Sequence, residues 1–351
     1  MLRLFSFLLL GVAISINYYF AATRTRVTMA ASSDRTDFYL FGNPIQFSLS
    51  PAFHNTLFKA LDMKNHSFAL HESAAFSADP AVLALLNSPR FGGAAVTMPH
   101  KLDVLSLMHQ VGPEVDEIGS MNTIVVLRDG NRLEGRNTDV LGIRNALLAT
   151  LPPPERESEH PWGPGTSALI IGGGGTTRAA IYALSHMNLS PIYLVNRDRD
   201  ETQAMIDSFP QYTLVALEDV SQWTEREAQH CQVVVGAIPS FEPVTAGEKN
   251  VYRIAEHVFE LGAKAPGPTR RILEMAYKPH MTRIRQLAES YGWMTIGGIE
   301  ALVNQALAQQ KFWLTDPRAA TYVPELAEAG MNDRVFALAA QEVRKKAGVP
   351  E

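Results

Sequence analysis

Several polar side chains stand where folding alone does not ask for them. Ser48 and Ser50 follow the Asn43-Pro44 turn two residues apart. In an extended segment both hydroxyls point to one side, where they can hold a carboxylate or a polyol. Thr97 and Lys101 bracket Pro99 at the end of an apolar run, Asn122-Thr123 opens the next strand, and Asn137-Thr138-Asp139 precedes an apolar-periodic helix. Taken singly each has a plain reading: Ser-x-Ser is common, Lys101 reads as a surface charge, and Asp139 reads as a helix N-cap. As a set in the loops after parallel strands, where such sheets bind ligands, they carry more information than any one member.

A second chemical signal is the run Gly172-Gly173-Gly174-Gly175, set between the apolar strand 168–171 and a helix expected from Thr177 to about Met187. Free backbone N–H groups and the positive end of a helix dipole can hold a diphosphate there, and side chains would block its approach. A strict G-x-G-x-x-G is absent, because Thr177 stands at the third glycine position. The following strand, 192–195, ends in Asn196-Arg197. Arg197 can stack on adenine and pair with a 2′-phosphate, while Asp198, Asp200 and Glu201 crowd the same loop with negative charge. The balance leans to NADP, with NAD as the alternative.

The elements that must position these groups alternate between short β-rich runs and helical patterns, the signature of α/β architecture with crossover helices. Strands are expected at 38–41, 93–97, 124–127, 132–135, 168–171, 192–195, 233–235 and 272–275, with an Asp129-Gly130 hairpin turn and helices over 51–61 and 299–314. The stretch 151–165 holds five prolines and reads as an irregular surface excursion. At 351 residues the chain is expected to form about two domains. With 31 Lys+Arg against 36 Asp+Glu and no run of four or more Lys/Arg, it offers no field for a nucleic-acid backbone. A small-molecule substrate fits instead. The single cysteine, Cys231, can form neither an internal disulfide nor, alone, a thiolate metal site, so no metal is expected.

Residues 1–36 are set apart from the fold. Arg3 and the apolar 4–16 stretch resemble a signal peptide or short anchor, too short for a membrane span unless Tyr18 to Ala22 is counted. Met29-Ala30-Ala31-Ser32 offers the competing reading of an upstream extension before a normal start. A cofactor-dependent enzyme with one thiol would fit a reducing, cytoplasmic compartment better than a secreted one.

The strings Phe41-Gly42-Asn43-Pro44-Ile45 with Ser48-Leu49-Ser50-Pro51, Val96-Thr97-Met98-Pro99-His100-Lys101, Gly119-Ser120-Met121-Asn122-Thr123, Asn137-Thr138-Asp139, the Gly172 to Arg178 loop, Asn196-Arg197 and Leu302-Val303-Asn304-Gln305-Ala306 resemble, in order and spacing, the shikimate and quinate dehydrogenases. The longer runs around 178–184 and 192–198 are most similar to the fungal stand-alone branch, which includes catabolic quinate/shikimate dehydrogenases. The resemblance implies a substrate domain over 37–138, a Rossmann-type dinucleotide domain over 139–297, and carboxyl-terminal helices over 298–351 returning to the first domain.

It also implies roles. Lys101 matches the catalytic lysine and Asp139 its partner carboxylate. Ser48, Ser50 and Tyr277 match the carboxylate-binding groups, and Thr97, Asn122 and Gln305 those that hold ring hydroxyls. Gly172, Gly173, Gly174, Gly175 and Thr176 match the diphosphate loop, Asn196 and Arg197 the adenosine end, and Gly298 the backbone facing the nicotinamide. The implied reaction is NAD(P)-dependent interconversion of a ring hydroxyl and ketone on shikimate or quinate. A positioned acid/base group contributes about 10²–10⁴-fold to such a step. A lysine, with an ordinary pKa of about 10.4, must then work in a closed, partly desolvated cleft or share its proton with Asp139.

Departures from the pattern mark the pocket's edge: Phe47 replaces the usual histidine, Ala95 the usual asparagine, and Gly236-Ala237-Ile238 the usual Asn-Ala-Thr. Glu201 stands where many NADP-using members carry a second arginine. Two alternatives follow, a quinate or shikimate sensor or repressor without catalysis, and a dehydrogenase of another small hydroxy acid or cyclitol.

Overall fold

The computed structural model describes residues 35–129, 132–329 and 333–349. The leader expected over 1–36 falls outside these up to residue 34, as do Gly130 and Asn131 of the hairpin turn. Thr36 already belongs to the first strand.

Twelve strands among the described residues form two six-stranded sheets. The first contains β1 (Thr36–Gly42), β2 (His66–Glu72), β3 (Phe91–Val96), β4 (Gln110–Val111), β5 (Thr123–Val126) and β6 (Leu133–Arg136), in the order β2-β1-β3-β5-β6-β4. β1 lies parallel to β2 and β3, whereas β5 runs antiparallel to both β3 and β6. The second contains β7 (Ser167–Ile171), β8 (Ile192–Val195), β9 (Leu214–Ala216), β10 (Cys231–Gly236), β11 (Arg271–Glu274) and β12 (Met294–Gly297), in the order β12-β11-β10-β7-β8-β9, with every pair parallel. The strand order reverses between β7 and β10. Such a switch point opens a crevice at the strands' carboxyl ends.

The continuous apolar runs of the second sheet follow from its burial on both faces. Ala168 and Ile170 of β7 join one core cluster with Val233 and Val235, while Leu169 and Ile171 join the opposite one with Val234 and Phe259. The first sheet is covered by helices Ser50–Ala60 and Gly298–Leu314, and helix Asp333–Ala347 packs on those two. Trp313 fills the middle of that layer, fully buried, with its indole N–H donating to the Ile124 carbonyl at 3.0 Å.

The expected irregular excursion at 151–165 needs one correction. Pro153–Arg156 forms a single helical turn, since Pro at the first helical position costs no hydrogen bond and presets φ. Helix Pro113–Ile118 and the residues after it are bonded to the second half of the fold, where Ser120 Oγ lies 3.4 Å from the Gly175 carbonyl. Arg178 donates to the Ile118 carbonyl and to Ser208 Oγ, both at 3.0 Å. The Glu117 carboxylate accepts from the Tyr212 hydroxyl and, at 3.1 Å, from Gln211.

Candidate active site

The crevice holds a cavity of about 770 Å³ lined from both halves of the molecule. Ser48, Ser50, Thr97, Lys101, Asn122 and Asp139 reach it from the first half, and Thr176, Tyr277, Gly298 and Gln305 from the chain beyond. Ten residues singled out from the sequence therefore face one space. Asn196 and Arg197 line a second cavity of about 240 Å³. The glycine loop joins the two: a Cβ on Gly173 would clash with the Asn196 amide, and one on Gly175 would lie 3.5 Å from Lys101 Cβ.

Lys101 and Asp139 form an ion pair through Nζ and Oδ2, with side chains 14% and 9% exposed. Lys101 Nζ also lies 3.4 Å from Thr176 Oγ1. An ammonium has three donors, so one remains for a substrate oxygen. Asp139 is not the N-cap that its position suggested. Thr138 occupies the cap, Asp139 opens helix Asp139–Leu148, and its side chain turns into the crevice instead of back onto the helix. The other carboxylate oxygen, Oδ1, accepts from Asn122 Nδ2 at 2.9 Å. Asn122 Nδ2 also reaches Gln305 Oε1 at 3.4 Å, and its own Oδ1 accepts from the Thr138 backbone at 2.7 Å. In this arrangement Asn122 fixes Asp139 and the start of its helix.

The hydroxyls of Ser48 and Ser50 are 3.2 Å apart at the start of helix Ser50–Ala60, which has no acidic residue in its first turn. The helix end therefore adds partial positive charge to two donors. Tyr277 completes this corner: its hydroxyl is in hydrogen-bond reach of Ser48 and of the Leu49 backbone, while burial pushes its pKa above the usual phenol value.

The glycine loop runs between β7 and helix Gly175–Ser185. Gly172 has φ +139°, and a Cβ there would lie 2.8 Å from the Ala237 carbonyl, so this close approach of β7 and β10 needs glycine. Gly174 caps helix Gly175–Ser185 with open space around it. An anion can thus reach the helix end, and the residues fit a dinucleotide diphosphate. Gly298 is bound as tightly, since a Cβ would clash with the Met275 carbonyl. At the second cavity Arg197, 62% exposed, is paired with Glu248 at 3.0 Å. Backbone N–H groups of Thr245 and Val244, with Arg197, hold the Glu248 carboxyl down at about 2.

Three lining residues escaped the sequence reading. Gln309 lies one helical turn after Gln305 and is buried, with its amide donating to Thr123 Oγ1 at 3.2 Å and its Oε1 unpartnered. The i, i+4 spacing of the two glutamines was the available signal. Arg199 lines the second cavity with Arg197 and is paired with Glu218 at 3.1 Å, while Glu201 accepts from Asn196 at 3.1 Å. Lys278 lines the main cavity directly after Tyr277.

Comparison with known proteins agrees with this geometry. Residues 40–124 match the shikimate dehydrogenase substrate binding domain. The dehydroquinate dehydratase and shikimate dehydrogenase of Schizosaccharomyces pombe aligns at 31% identity and TM-score 0.67, covering 88% of this chain and 53% of that one. The chain belongs to the shikimate dehydrogenase family. It spans about half the length of the S. pombe protein. A shikimate 5-dehydrogenase from Mycobacterium fortuitum aligns at 25% identity and TM-score 0.64, over 88% of this chain and 99% of that one. The enzyme from Thermus thermophilus, solved with NADP(H) and shikimate, shares the two-domain fold at 23% identity and TM-score 0.63, over 89% of this chain and 99% of that one.

One buried acid near the site has a thermodynamic consequence. Glu274, at the end of β11, is 1% exposed, and burial raises its carboxyl to about 7 against the hydrogen bonds it accepts from Ala276 N–H and Thr282 and the nearby Arg285. Between its ordinary value and 7 the folded chain holds a proton that the unfolded chain has released. Its stabilising contribution is therefore complete in acid and is lost as pH rises toward 7, by at most about 1.4 kcal/mol per pH unit. Glu274→Gln is expected to flatten this part of the pH profile of urea midpoints. A slope equal to that of the unsubstituted protein counts against the assignment.

Proposed function

We propose that the protein is an NADP-dependent oxidoreductase that interconverts a ring hydroxyl and ketone on shikimate or a close polyhydroxy ring acid such as quinate. The observation that carries this is the Lys101–Asp139 pair facing one cavity with Ser48, Ser50 and Tyr277, next to a glycine loop fit for a diphosphate. The family's substrate-binding domain over residues 40–124 supports the same reading.

In this reading Ser48, Ser50 and Tyr277 hold the substrate carboxylate at one end, so that the reacting hydroxyl falls at Lys101. Gln305, Gln309 and Thr97 offer hydrogen bonds along the ring. Residues 172–176 hold the dinucleotide diphosphate, with Gly298 providing close backbone. The bound nicotinamide supplies or accepts the hydride. In reduction Lys101 gives a proton to the carbonyl oxygen, and in oxidation its neutral amine takes that proton back. Asp139 stabilises the ammonium and keeps it aimed, and the largely buried pair works where its field is poorly screened. Arg197 and Arg199 at the second cavity favour the extra phosphate of NADP.

Mixing the protein with shikimate or quinate and either oxidised cofactor is expected to raise the near-ultraviolet absorbance of reduced nicotinamide, at lower KM for NADP than for NAD. No turnover of either acid with either cofactor returns the protein to the sensor class. Turnover of neutral cyclitols in preference to the acids moves it to a different substrate.

A further inference from the structure

The carboxylate corner lacks a full positive charge of its own. Ser48, Ser50 and Tyr277 are neutral donors, and the helix end behind the serines contributes a partial charge. A carboxylate drawn out of water into such a corner is costly unless a cation meets it. Two cations line the main cavity, Lys101 and Lys278. Lys101 is committed to Asp139. Lys278 follows Tyr277 directly in the chain, as Phe47 directly precedes Ser48. Its Nζ sits 5.0 Å from the centre of the Phe47 ring. That contact spans the same two segments that the Tyr277–Ser48 interaction joins, and Lys278 lines the same cavity as the carboxylate corner. Both side chains are exposed at the cavity mouth, and the ring face holds the cation without neutralising it.

We infer that Lys278, resting on Phe47, is a specificity-determining residue that supplies the counter-charge to the substrate's carboxylate and selects ring acids over neutral polyols. This rests on the dehydrogenase reading above and names what that site recognises. It also gives Phe47 a purpose: a flat, uncharged ring holds the ammonium at the cavity mouth.

The test compares an acid with its uncharged ester. Lys278→Met keeps most of the aliphatic stem and removes the charge. For shikimate, kcat/KM is expected to fall roughly tenfold, mainly through KM, while kcat/KM for methyl shikimate stays within about twofold. Lys278→Arg is expected to restore most of the loss, and raised salt to shrink the difference between unsubstituted protein and Lys278→Met. Equal losses for acid and ester overturn the proposal, as does a fall of less than about twofold for the acid. If the unsubstituted protein turns over no acid, the dehydrogenase reading fails separately, and calorimetric titration with shikimate tests Lys278 alone. Weaker binding to Lys278→Met then supports the counter-charge role. Equal binding to both proteins, or binding to neither, overturns it.

Discussion

Lys101→Ala is expected to lower kcat for shikimate by about 10²–10⁴-fold while leaving the dissociation constant of the dinucleotide nearly unchanged. The lysine touches the glycine loop only through its stem and Thr176, whereas its ammonium, paired with Asp139, faces the main cavity where it can give or take a proton. Removing it also leaves Asp139 as a largely buried carboxylate whose remaining contact is Asn122. Lys101→Met is the companion variant, since it keeps the packing against Gly175. Steady-state kinetics with fluorescence titration of the reduced cofactor separates the outcomes. Equal loss of turnover and cofactor binding in both variants means that Lys101 holds the loop together and does not serve the chemistry.

The largest expected loss of stability is at Trp313→Ala. The indole is wholly buried among Phe38 at 4.8 Å, His54 at 5.3 Å and Phe68 at 6.2 Å between ring centroids, and its N–H satisfies the Ile124 carbonyl. Truncation removes the apolar contact, opens a cavity where three rings meet, and strands a carbonyl. Large-to-small changes of this kind cost about 3–5 kcal/mol. Trp313→Phe restores much of the volume but not the hydrogen bond, and is expected to cost about 1–3 kcal/mol. Urea unfolding of the three proteins measures both. A midpoint for Trp313→Ala close to that of the original chain contradicts the packing described. Helix Gly298–Leu314 also carries Gln305 and Gln309, so destabilised variants should show loosened substrate binding before they lose the dinucleotide.

What could be read from the sequence follows the strength of the local signals. Buried strands with uniform apolar runs, such as Ile192–Val195, and the glycine-to-helix step after β7 are dictated locally, and they stand where expected. The four edge strands β2, β4, β9 and β12 were missed because half-exposed strands mix polar and apolar residues. His66, His71 and Glu72 interrupt β2, and β9 is three residues long. The polar residues of the cavity were visible as a set because the family resemblance ordered them. Lys278 and Arg199 were not, since a lone cation beside a loop has no local signature, and its meaning depends on which ring or cavity the fold brings to it. Asp139 shows the converse. Its place before an apolar-periodic helix matched an N-cap, yet the nearby ammonium and the Asn122 amide draw its side chain the other way.

The bonds from Arg178 to Ile118 and from Tyr212 and Gln211 to Glu117 stitch the two sheets together along one side of the molecule. A motion that keeps those bonds intact can pivot about that seam, as covers turn about a book's spine. Points far from the spine then travel most, so entry and exit of a substrate can be regulated at the page edges while the groups nearest the binding hold their register.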